Sequence, residues 1–502
     1  MTTNNITKEN IQELEDIIRK LYLVDDIPWV IGYSGGKDST ATLQLVWYAI
    51  SKLPLEKRTK TIHIINTDTL VESPIVSRWA KNALGKMEHA SKVSALPFTT
   101  HVLSPEYNQT FWVNFIGRGY PVPRRQLRWC TDRLKIQPVN NFIKNRIAEH
   151  GEIIMILGTR KAESVNRARS MEALAKKRVR DLLSPNPTLA NELVFSPLEN
   201  WSDDDVWAYL LQYTNPWNLP NTELLTLYRG ATADNECPII QDKSVPSCGK
   251  SRFGCWVCTV VSKDKSMEAM ISNNQEDNSW LKKFLNFRDE FGNLENDRER
   301  RSFRKRSGAL QGGMGRLNHG PYKKEWREIW LRKLLELQLY VQEQAPKEYR
   351  NYEIITLPEL REIRRIWVKE NHEFDDSLPK IYKEVFKVDF DDPEWIPVSN
   401  YNKKEWDLLK SVCEEVAPEE ELAFEMMYSL IDQEMESRNL NKRSGILKNL
   451  EKIIKRNFYQ NEEDATQFYT QKMSRKKELG GKYNEHFFEG TNDDFPEEEA
   501  DE

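Results

Sequence analysis

The pattern of hydrophobic and polar positions predicts strands that alternate with helices in the first half of the chain. Apolar runs predict buried strands at 28–33, 61–66, 98–103 and 152–157, and apolar residues at helical spacing predict helices at 8–24, 41–50 and 75–94. This alternation indicates an α/β fold, a parallel sheet with right-handed crossovers and helices on both faces. Because ligands bind beyond the carboxyl ends of such strands, the polar residues that end three of them predict one shared site.

The loop after the first strand reads Ser34-Gly35-Gly36-Lys37-Asp38-Ser39-Thr40 and leads directly into a helix. A glycine turn at a helix N-terminus presents backbone N–H groups that bind phosphate, helped by the helix dipole and by Lys37. The loop fails the Walker A pattern, in which serine or threonine follows the lysine. It resembles, residue for residue, the Ser-Gly-Gly-x-Asp-Ser PP-loop of the ATP pyrophosphatases. The resemblance implies an adenine nucleotide α-hydrolase-like fold that binds ATP and Mg²⁺, with catalytic roles for Lys37 and Asp38.

Four further stretches resemble segments of the phosphoadenosine phosphosulfate (PAPS) reductase family. They are Asp68-Thr69…Glu72, Arg128–Lys135, Gly158-Thr159-Arg160…Arg167 and Pro197–Tyr209. The resemblance implies that Asp68, Thr69 and Gly158 lie near the nucleotide and that Arg160 supplies positive charge there. The chain lacks the late Glu-Cys-Gly-(Ile/Leu)-His motif of these reductases, which are also much shorter, so a plain PAPS reductase is not expected.

Four of the six cysteines lie close together in the chain, as Cys237, Cys248, Cys255 and Cys258. In a chain without an export signal, such a group favours metal or redox chemistry over disulfides. Thiolates are soft ligands that suit iron–sulfur clusters or zinc. Because the spacing lacks the two Cys-x-x-Cys knuckles of a zinc ribbon, we predict a 4Fe–4S cluster, with zinc and then no metal as the alternatives.

Cys130 stands apart from this group in the sequence, between the arginine-rich stretches 124–128 and 133–135. Neighbouring cations lower the pKa of a thiol and raise its thiolate fraction, so Cys130 is predicted to carry sulfur as a persulfide. The alternatives are that Cys130 is a core cysteine or that it is a cluster ligand in place of one of the four. Cys413 is interpreted as an ordinary helix residue.

Composition and charge also indicate how the chain divides into domains. The 502 residues are 39% hydrophobic and 30% charged, with a net charge of −5, and no membrane span or export signal is visible, which predicts a cytoplasmic protein. We expect a PP-loop domain at 1–230, a cysteine-rich segment with a basic stretch at 231–310, a mostly helical domain at 311–485 and an acidic, disordered tail at 486–502. The basic residues at 297–306 and 361–369 predict either phosphate contact or a solvated helix face.

The whole plan resembles the DndC-type proteins of bacterial DNA phosphorothioation. The resemblance rests on the run Asp25–Tyr33 before the PP-loop, the strand end Asp68–Pro74, the cysteine group and the long helical C-terminal half. It implies an ATP-dependent DNA sulfurtransferase that adenylylates a DNA phosphate, releases pyrophosphate and replaces a non-bridging oxygen by sulfur. A cysteine desulfurase as sulfur donor and other subunits of the phosphorothioation complex are the implied partners. The alternatives are a PAPS or adenosine phosphosulfate reductase, a PP-loop tRNA thiolase and a non-enzymatic scaffold that holds DNA.

Overall fold

The computed structural model describes residues 6–231, 253–395, 403–438 and 445–478, apart from the single positions 179, 314, 372, 374, 394 and 421. The described chain forms two compact units. Unit 1 contains the residues up to 111 together with 123–290 and 340–354, and unit 2 contains 112–122, 291–339 and the residues from 355 onward. The acidic tail predicted at 486–502 lies outside the described residues, and the division into four parts stays a prediction.

The strands of unit 1 are β1 (Trp29–Gly32), β2 (Ile62–Thr67), β3 (Phe98–Leu103), β4 (Ile153–Ile156), β5 (Ser184–Pro185) and β6 (Glu192–Phe195). They form one sheet in the order β3-β2-β1-β4-β6-β5, and every neighbouring pair is parallel except β5 with β6. In the central strand, Trp29 lies beside Ile62 of β2 and Ile154 of β4. The predicted parallel sheet is confirmed, and a short antiparallel edge strand is added to it.

The helices of unit 1 are α1 (Lys8–Val24), α2 (Lys37–Ser51), α3 (Pro74–Val93), α4 (Trp129–Thr131), α5 (Gln137–His150), α6 (Val165–Ala175), α7 (Asp203–Gln212), α8 (Asn221–Gly230), α9 (Lys265–Asn273), α10 (Gln275–Asn278) and α11 (Lys282–Gly292), whose last residues belong to unit 2. A π-helical turn at Asp132–Ile136 joins α4 to α5.

The side chains of β1 alternate between two hydrophobic layers, one on each face of the sheet. Trp29 and Ile31 pack in a cluster with α1, α2 and α3, whereas Val30 packs with Ile143 of α5 on the opposite face. Helix α2 is buried along almost its whole length, and its Leu43 is fully enclosed. Each fully buried aliphatic side chain of this kind contributes about 1.5–3 kcal/mol. The packing therefore holds the start of α2, and the loop before it, in a defined place.

Unit 2 is mostly helical in the residues that the structure describes, as predicted for the C-terminal region. Its elements are β7 (Gly312–Gly313), β8 (Arg316–Leu317), α12 (Lys324–Gln344), α13 (Leu357–Arg365), α14 (Ser377–Phe386), α15 (Lys403–Val416), α16 (Ala423–Arg438), α17 (Ile446–Asn457) and α18 (Glu462–Glu478). The last five residues of α12 belong to unit 1. Over the described ranges, we find no helix with both the length and the apolar character that crossing a bilayer requires.

The arginines that recur along α13 make ion pairs with acids of unit 2. Arg364 Nη1 lies 3.0 Å from Asp392 Oδ2, and Arg365 Nε lies 2.7 Å from Glu362 Oε2. The charges of these two arginines are therefore matched by acids of the same unit. The choice between phosphate contact and a solvated helix face for 361–369 stays a prediction.

A buried histidine on β2 makes the stability of unit 1 sensitive to acid. His63 Nδ1 lies 3.0 Å from both His101 Nε2 and Thr99 Oγ1. Burial, and then the charges of His101, Arg146 and His150, lower the pKa of His63 from 6.5 to about 4. Between these two values the unfolded chain binds a proton that the folded protein does not bind. The stabilising contribution is complete above pH 6.5 and is lost as the pH falls towards 4.

We expect the free energy of unfolding to fall by about 2 kcal/mol between pH 6.5 and pH 4 because of this histidine. The variant His63→Asn should lose most of that dependence in urea unfolding measured across the pH range. His89→Asn, an exposed histidine on α3, serves as the control and should keep the wild-type profile. An unchanged acid dependence in His63→Asn would contradict the assignment.

Candidate active site

The loop between β1 and α2 is held closed by its own serines and by a tryptophan of α3. Ser34 Oγ lies 3.1 Å from Ser39 Oγ, and the Ser39 hydroxyl donates to the carbonyl of Gly36 over 3.0 Å. Trp79 Nε1 donates to the carbonyl of Gly35, which adopts a left-handed φ of +77° that favours glycine. The loop predicted as the PP-loop therefore has the strand–turn–helix geometry expected of it.

Four buried or half-buried charges form a closed network at the start of α2. The Lys37 ammonium lies 3.3 Å from Asp38 Oδ2 and 3.1 Å from Asp203 Oδ1. Arg160 lies between the same two acids, with Nε 2.7 Å from Asp38 Oδ1 and Nη2 2.6 Å from Asp203 Oδ1. Its third contact is a hydrogen bond to the carbonyl of Trp201. Two cations and two anions balance, so the structure brings Arg160 to the loop as a partner of Asp38.

The network favours the charged forms of Asp203 and Arg160. Burial raises the pKa of Asp203, but the charges of Lys37 and Arg160 outweigh it and hold this pKa below its ordinary value. Burial likewise opposes the charge of Arg160, and Asp38 and Asp203 raise its pKa nonetheless. Arg160 is only 1% exposed, so this cation is stable only while both acids remain in place.

Two residues from other parts of unit 1, Gly158 after β4 and Tyr228 of α8, lie against the start of α2. A Cβ added to Gly158 would lie 2.8 Å from the carbonyl oxygen of Asp38, so only glycine lets β4 end this close to α2. On the other side, the backbone N–H of Lys37 donates to the buried hydroxyl of Tyr228 over 3.2 Å. Sequence reasoning missed Tyr228 and Asp203. Asp203 lies within the stretch 197–209 that resembles the PAPS reductase family, but it was not singled out there.

Asp68 and Thr69 lie at the end of β2, the strand next to β1. The Asp68 carboxylate accepts from the backbone N–H of Leu70 and lies 3.2 Å from the Lys81 ammonium. Carboxylates such as those of Asp38 and Asp68 are oxygen ligands of the kind that Mg²⁺ takes together with nucleotide phosphates. Thr69 is fully buried, and its hydroxyl lies 3.3 Å from the Cys255 thiol. The end of β2 therefore joins the nucleotide side of the sheet to the cysteines.

The segment Cys255–Cys258 forms a tight turn against this strand end. The N–H of Cys258 donates to the carbonyl of Cys255 over 3.0 Å, and Trp256 N donates to the carbonyl of Val71. Cys255 also forms an isolated bridge with Glu72. The carbonyl of Cys258 accepts from the buried guanidinium of Arg288, another residue that the sequence did not single out. These contacts hold the turn that carries both cysteines beside the end of β2.

Cys130 lies with these two cysteines, contrary to the separation expected from the sequence. Burial, and then the charges of the nearby Cys255 and Cys258, raise the pKa of Cys130 to about 11. The prediction that flanking arginines lower this pKa is therefore wrong, because burial dominates. Thr259 Oγ1 donates to the carbonyl of Pro123 over 2.7 Å and ties together the segments that carry the cysteines.

Lys135 interacts electrostatically with the thiols. The charge of Cys255, outweighing burial, raises the pKa of Lys135, with further contributions from Glu72, Cys130 and Cys258. Glu72 is itself held by a distant part of the chain, since the Tyr352 hydroxyl donates to its carbonyl over 2.8 Å. Tyr352 was missed, because nothing in the local sequence marks it.

The predicted metal ligands are only partly within the described residues. Cys237 and Cys248 lie outside them. Among the described residues, Cys130, Cys255 and Cys258 included, no three His, Cys, Asp or Glu side chains are grouped closely enough to hold one metal ion. Two thiols on one turn, with a third thiol nearby, are soft donors that fit an iron–sulfur cluster or zinc in kind. The cluster stays a prediction.

The sheet, the loop and its charge network define a PP-loop nucleotide-binding domain of the α/β class. Residues 28–261 match the family model of the phosphoadenosine phosphosulfate reductase domain. This part of the chain is therefore a PAPS reductase-like domain, in agreement with the resemblance seen in the sequence.

The proteins to which the chain is similar include the following three. Uncharacterized protein MJ0066 of Methanocaldococcus jannaschii is 29% identical over 192 residues, which are 38% of this chain and 33% of that protein, so the match spans about a third of the relative's length. The PAPS reductase of Candida auris is 15% identical, with 41% of this chain and 87% of that one covered and a TM-score of 0.26. The U34-tRNA thiolase NcsA of Methanococcus maripaludis, solved with its 4Fe–4S cluster, is 13% identical. The match covers 58% of this chain and 83% of that one, with a TM-score of 0.25.

Removing one acid of the charge network should destabilise the protein measurably. Asp203→Asn leaves the buried Arg160 with one acid partner, and we expect a loss of about 1–3 kcal/mol in the free energy of unfolding. Asp204→Asn is the matched control, because Asp204 is an exposed acid in the same first turn of α7 and should change stability by less than about 0.5 kcal/mol. Denaturant unfolding measures the stability of both variants. Equal stabilities of Asp203→Asn and Asp204→Asn would show that the network does not hold Arg160.

Metal analysis of anaerobically purified protein tests the predicted cluster. We expect about four irons and four labile sulfides per chain, and loss of both in Cys255→Ser and in Cys258→Ser. Cys413→Ser, which removes a buried cysteine of α15, should keep the full iron content. One tightly bound zinc ion without labile sulfide would show that the site holds zinc and not the predicted 4Fe–4S cluster. In Cys130→Ser, lost iron would identify a ligand and retained iron would leave the sulfur-carrier role open.

Proposed function

We propose that the protein is an ATP-dependent DNA sulfurtransferase of the phosphorothioation type. It would activate a backbone phosphate of DNA with ATP, release pyrophosphate and exchange a non-bridging oxygen for sulfur. The observation that carries the proposal is the contact between the Thr69 hydroxyl and the Cys255 thiol at the end of β2. It brings sulfur chemistry to the same edge of the sheet as the PP-loop, and such an edge is where ligands of parallel sheets bind.

The PP-loop residues supply the activation step. Lys37 and the N-terminus of α2 would bind the phosphates of ATP, and the Lys37 ammonium would stabilise the charge that develops on the leaving pyrophosphate. A non-bridging oxygen of the DNA phosphate attacks the α-phosphorus, a new P–O bond forms, and the bond to pyrophosphate breaks. Arg160 and Asp203 act as positioning residues, because they hold Asp38 and Lys37 in place.

Cys130 is the proposed carrier of the sulfur atom, supplied as a persulfide by a cysteine desulfurase. The outer sulfur attacks the DNA phosphorus, a P–S bond forms, and AMP leaves with the electrons of its P–O bond. An external thiol then attacks Sγ of Cys130, the S–S bond breaks, and the sulfur remains on DNA. The resulting disulfide is reset by a dithiol reductant. Lys135 interacts electrostatically with the cysteine thiols and would balance the negative charge of the persulfide.

The cysteine group would hold the cluster through Cys255 and Cys258 together with Cys237 and Cys248. Such a cluster supplies redox-active iron with affinity for sulfur when it is bound. The buried guanidinium of Arg288 would keep the Cys258 end of the turn in place.

Mass spectrometry of nuclease-digested DNA tests the proposal directly. We expect phosphorothioate dinucleotides from cells with the wild-type gene and its partner subunits, and none with Lys37→Ala or Cys130→Ser. Purified Cys130→Ser should still release pyrophosphate from ATP, whereas Lys37→Ala should not, because only the latter removes a phosphate-binding group. Cys413→Ser should modify DNA as the wild type does.

Three results would contradict parts of this proposal. Release of orthophosphate from the γ-position would exclude the PP-loop reaction. Thiolated tRNA bases with unmodified DNA would identify a tRNA thiolase that uses the same chemistry on another substrate. Full DNA modification by Cys130→Ser would show that another group carries the sulfur.

A further inference from the structure

Helix α8 places a tyrosine hydroxyl on the PP-loop. Tyr228 is only 6% exposed, and its hydroxyl accepts from the backbone N–H of Lys37 over 3.2 Å. Lys37 is the first residue of α2, and an N–H at that position has no acceptor within its own helix. The N-cap residue Gly36 has no side chain that could accept it. Tyr228, which is distant in the sequence, therefore caps the start of α2.

The hydroxyl also lies close to the glycine turn of the loop. A Cβ added to Gly36 would lie 3.1 Å from the hydroxyl oxygen of Tyr228. Glycine lets a ligand approach the backbone closely, and at the N-terminus of a helix that ligand is commonly a phosphate. The Lys37 ammonium is paired with Asp38 and Asp203. Both groups of Lys37 that would bind phosphate, its N–H and its ammonium, therefore have partners within the protein.

The ring of Tyr228 is held by packing that does not involve the hydroxyl. It lies edge-on to Trp207 of α7, with the ring centroids 5.1 Å apart, and edge-on to Phe253, with the centroids 4.8 Å apart. Removing the hydroxyl alone leaves these ring contacts in place. The variant Tyr228→Phe therefore isolates the contribution of the hydrogen bond to Lys37.

The hydroxyl of Tyr228 is a neutral acceptor at neutral pH. Burial, with the charges of Asp38 and Asp203, raises its pKa, although the N–H of Lys37 and the charge of Arg160 oppose this effect. Hydrogen bonds to a charged acceptor are roughly twice as strong as those between neutral groups. A phosphate oxygen that reaches the loop is therefore a stronger acceptor for this N–H than the hydroxyl is.

We propose that Tyr228 holds the place of a phosphate oxygen on the PP-loop and leaves Lys37 when the triphosphate of ATP binds. The inference rests on the ATP binding that the proposed function assigns to this loop. Tyr228 stabilises the start of α2 in the absence of nucleotide, as a capping residue does. The same contact lowers the affinity for ATP, because binding has to break one hydrogen bond before it makes another.

Calorimetric titration with α,β-methylene ATP, which cannot be cleaved between its α and β phosphates, tests this assignment in the presence of Mg²⁺. In Tyr228→Phe the N–H of Lys37 loses the hydroxyl as its acceptor, and bound phosphate replaces it. We expect the analogue to bind this variant about three- to tenfold more tightly than the wild type. Tyr228→Met, which also lacks the hydroxyl, provides the same comparison if Tyr228→Phe does not fold.

Tyr22→Phe is the matched control. Tyr22 of α1 is also buried, and its hydroxyl accepts from the backbone N–H of Lys60 over 3.1 Å. Both variants should be less stable than the wild type in denaturant, because each loses a buried hydrogen bond. The analogue should bind Tyr22→Phe within about twofold of the wild type, since this control keeps the acceptor of Lys37. Saturating analogue should stabilise Tyr228→Phe more than it stabilises the wild type or the control.

The outcomes separate this inference from the function on which it rests. Unchanged or weaker binding of the analogue by Tyr228→Phe would overturn the inference alone and identify the hydroxyl as a permanent cap or a phosphate ligand. Tighter binding by this variant, in a protein whose wild type leaves DNA unmodified, would support the inference and contradict the DNA sulfurtransferase. Wild-type protein that binds neither the analogue nor ATP would contradict both.

Discussion

The nucleotide site depends on the ion pairs that the buried guanidinium of Arg160 makes with Asp38 and Asp203. A cation that is almost completely removed from water costs several kcal/mol unless its charge is matched, and here Asp38 and Asp203 match it. Asp38 belongs to the PP-loop, Arg160 follows β4, and Asp203 begins α7, so one set of ion pairs joins three separate parts of unit 1. The position of Lys37 follows from the same set, because its ammonium shares both acids.

The sequence predicts the sheet and the loop because their signals are local. Apolar runs mark β1, β2, β3 and β4 within one residue of their observed bounds, and the glycine turn after β1 is a short motif with a direct physical meaning. The roles of Gly158 and Arg160 are implied by the resemblance of their segment to the PAPS reductase family. Their actual partners could not be predicted, since the approach of Gly158 to Asp38 depends on how β4 pairs with β1.

The cysteines show where local reasoning fails. Cys130 is far from Cys255 in the sequence, and counting residues predicted a separate thiol surrounded by arginines. In the fold, its thiol lies with Cys255 and Cys258, and burial has a larger effect on its pKa than neighbouring charge. The cation whose pKa the thiols raise is Lys135, which lies two residues after Arg133 in the π-helical segment. Tyr352 and Tyr228 carry no sequence signal at all, because each acts through one hydroxyl placed by distant packing.

The return of residues 340–354 to unit 1 has a consequence for how the protein is made. Tyr352 reaches Glu72, and Arg78 lies over the ring of Tyr349, although these partners are separated by more than half of the chain. During translation the ribosome must therefore synthesise residues 112–122 and 291–339 of unit 2 before residues 340–354 can pack against the end of β2 and complete unit 1. Until then Glu72, the neighbour of Cys255, lacks the hydrogen bond from Tyr352. Folding of one domain after another from the N-terminus therefore cannot complete unit 1.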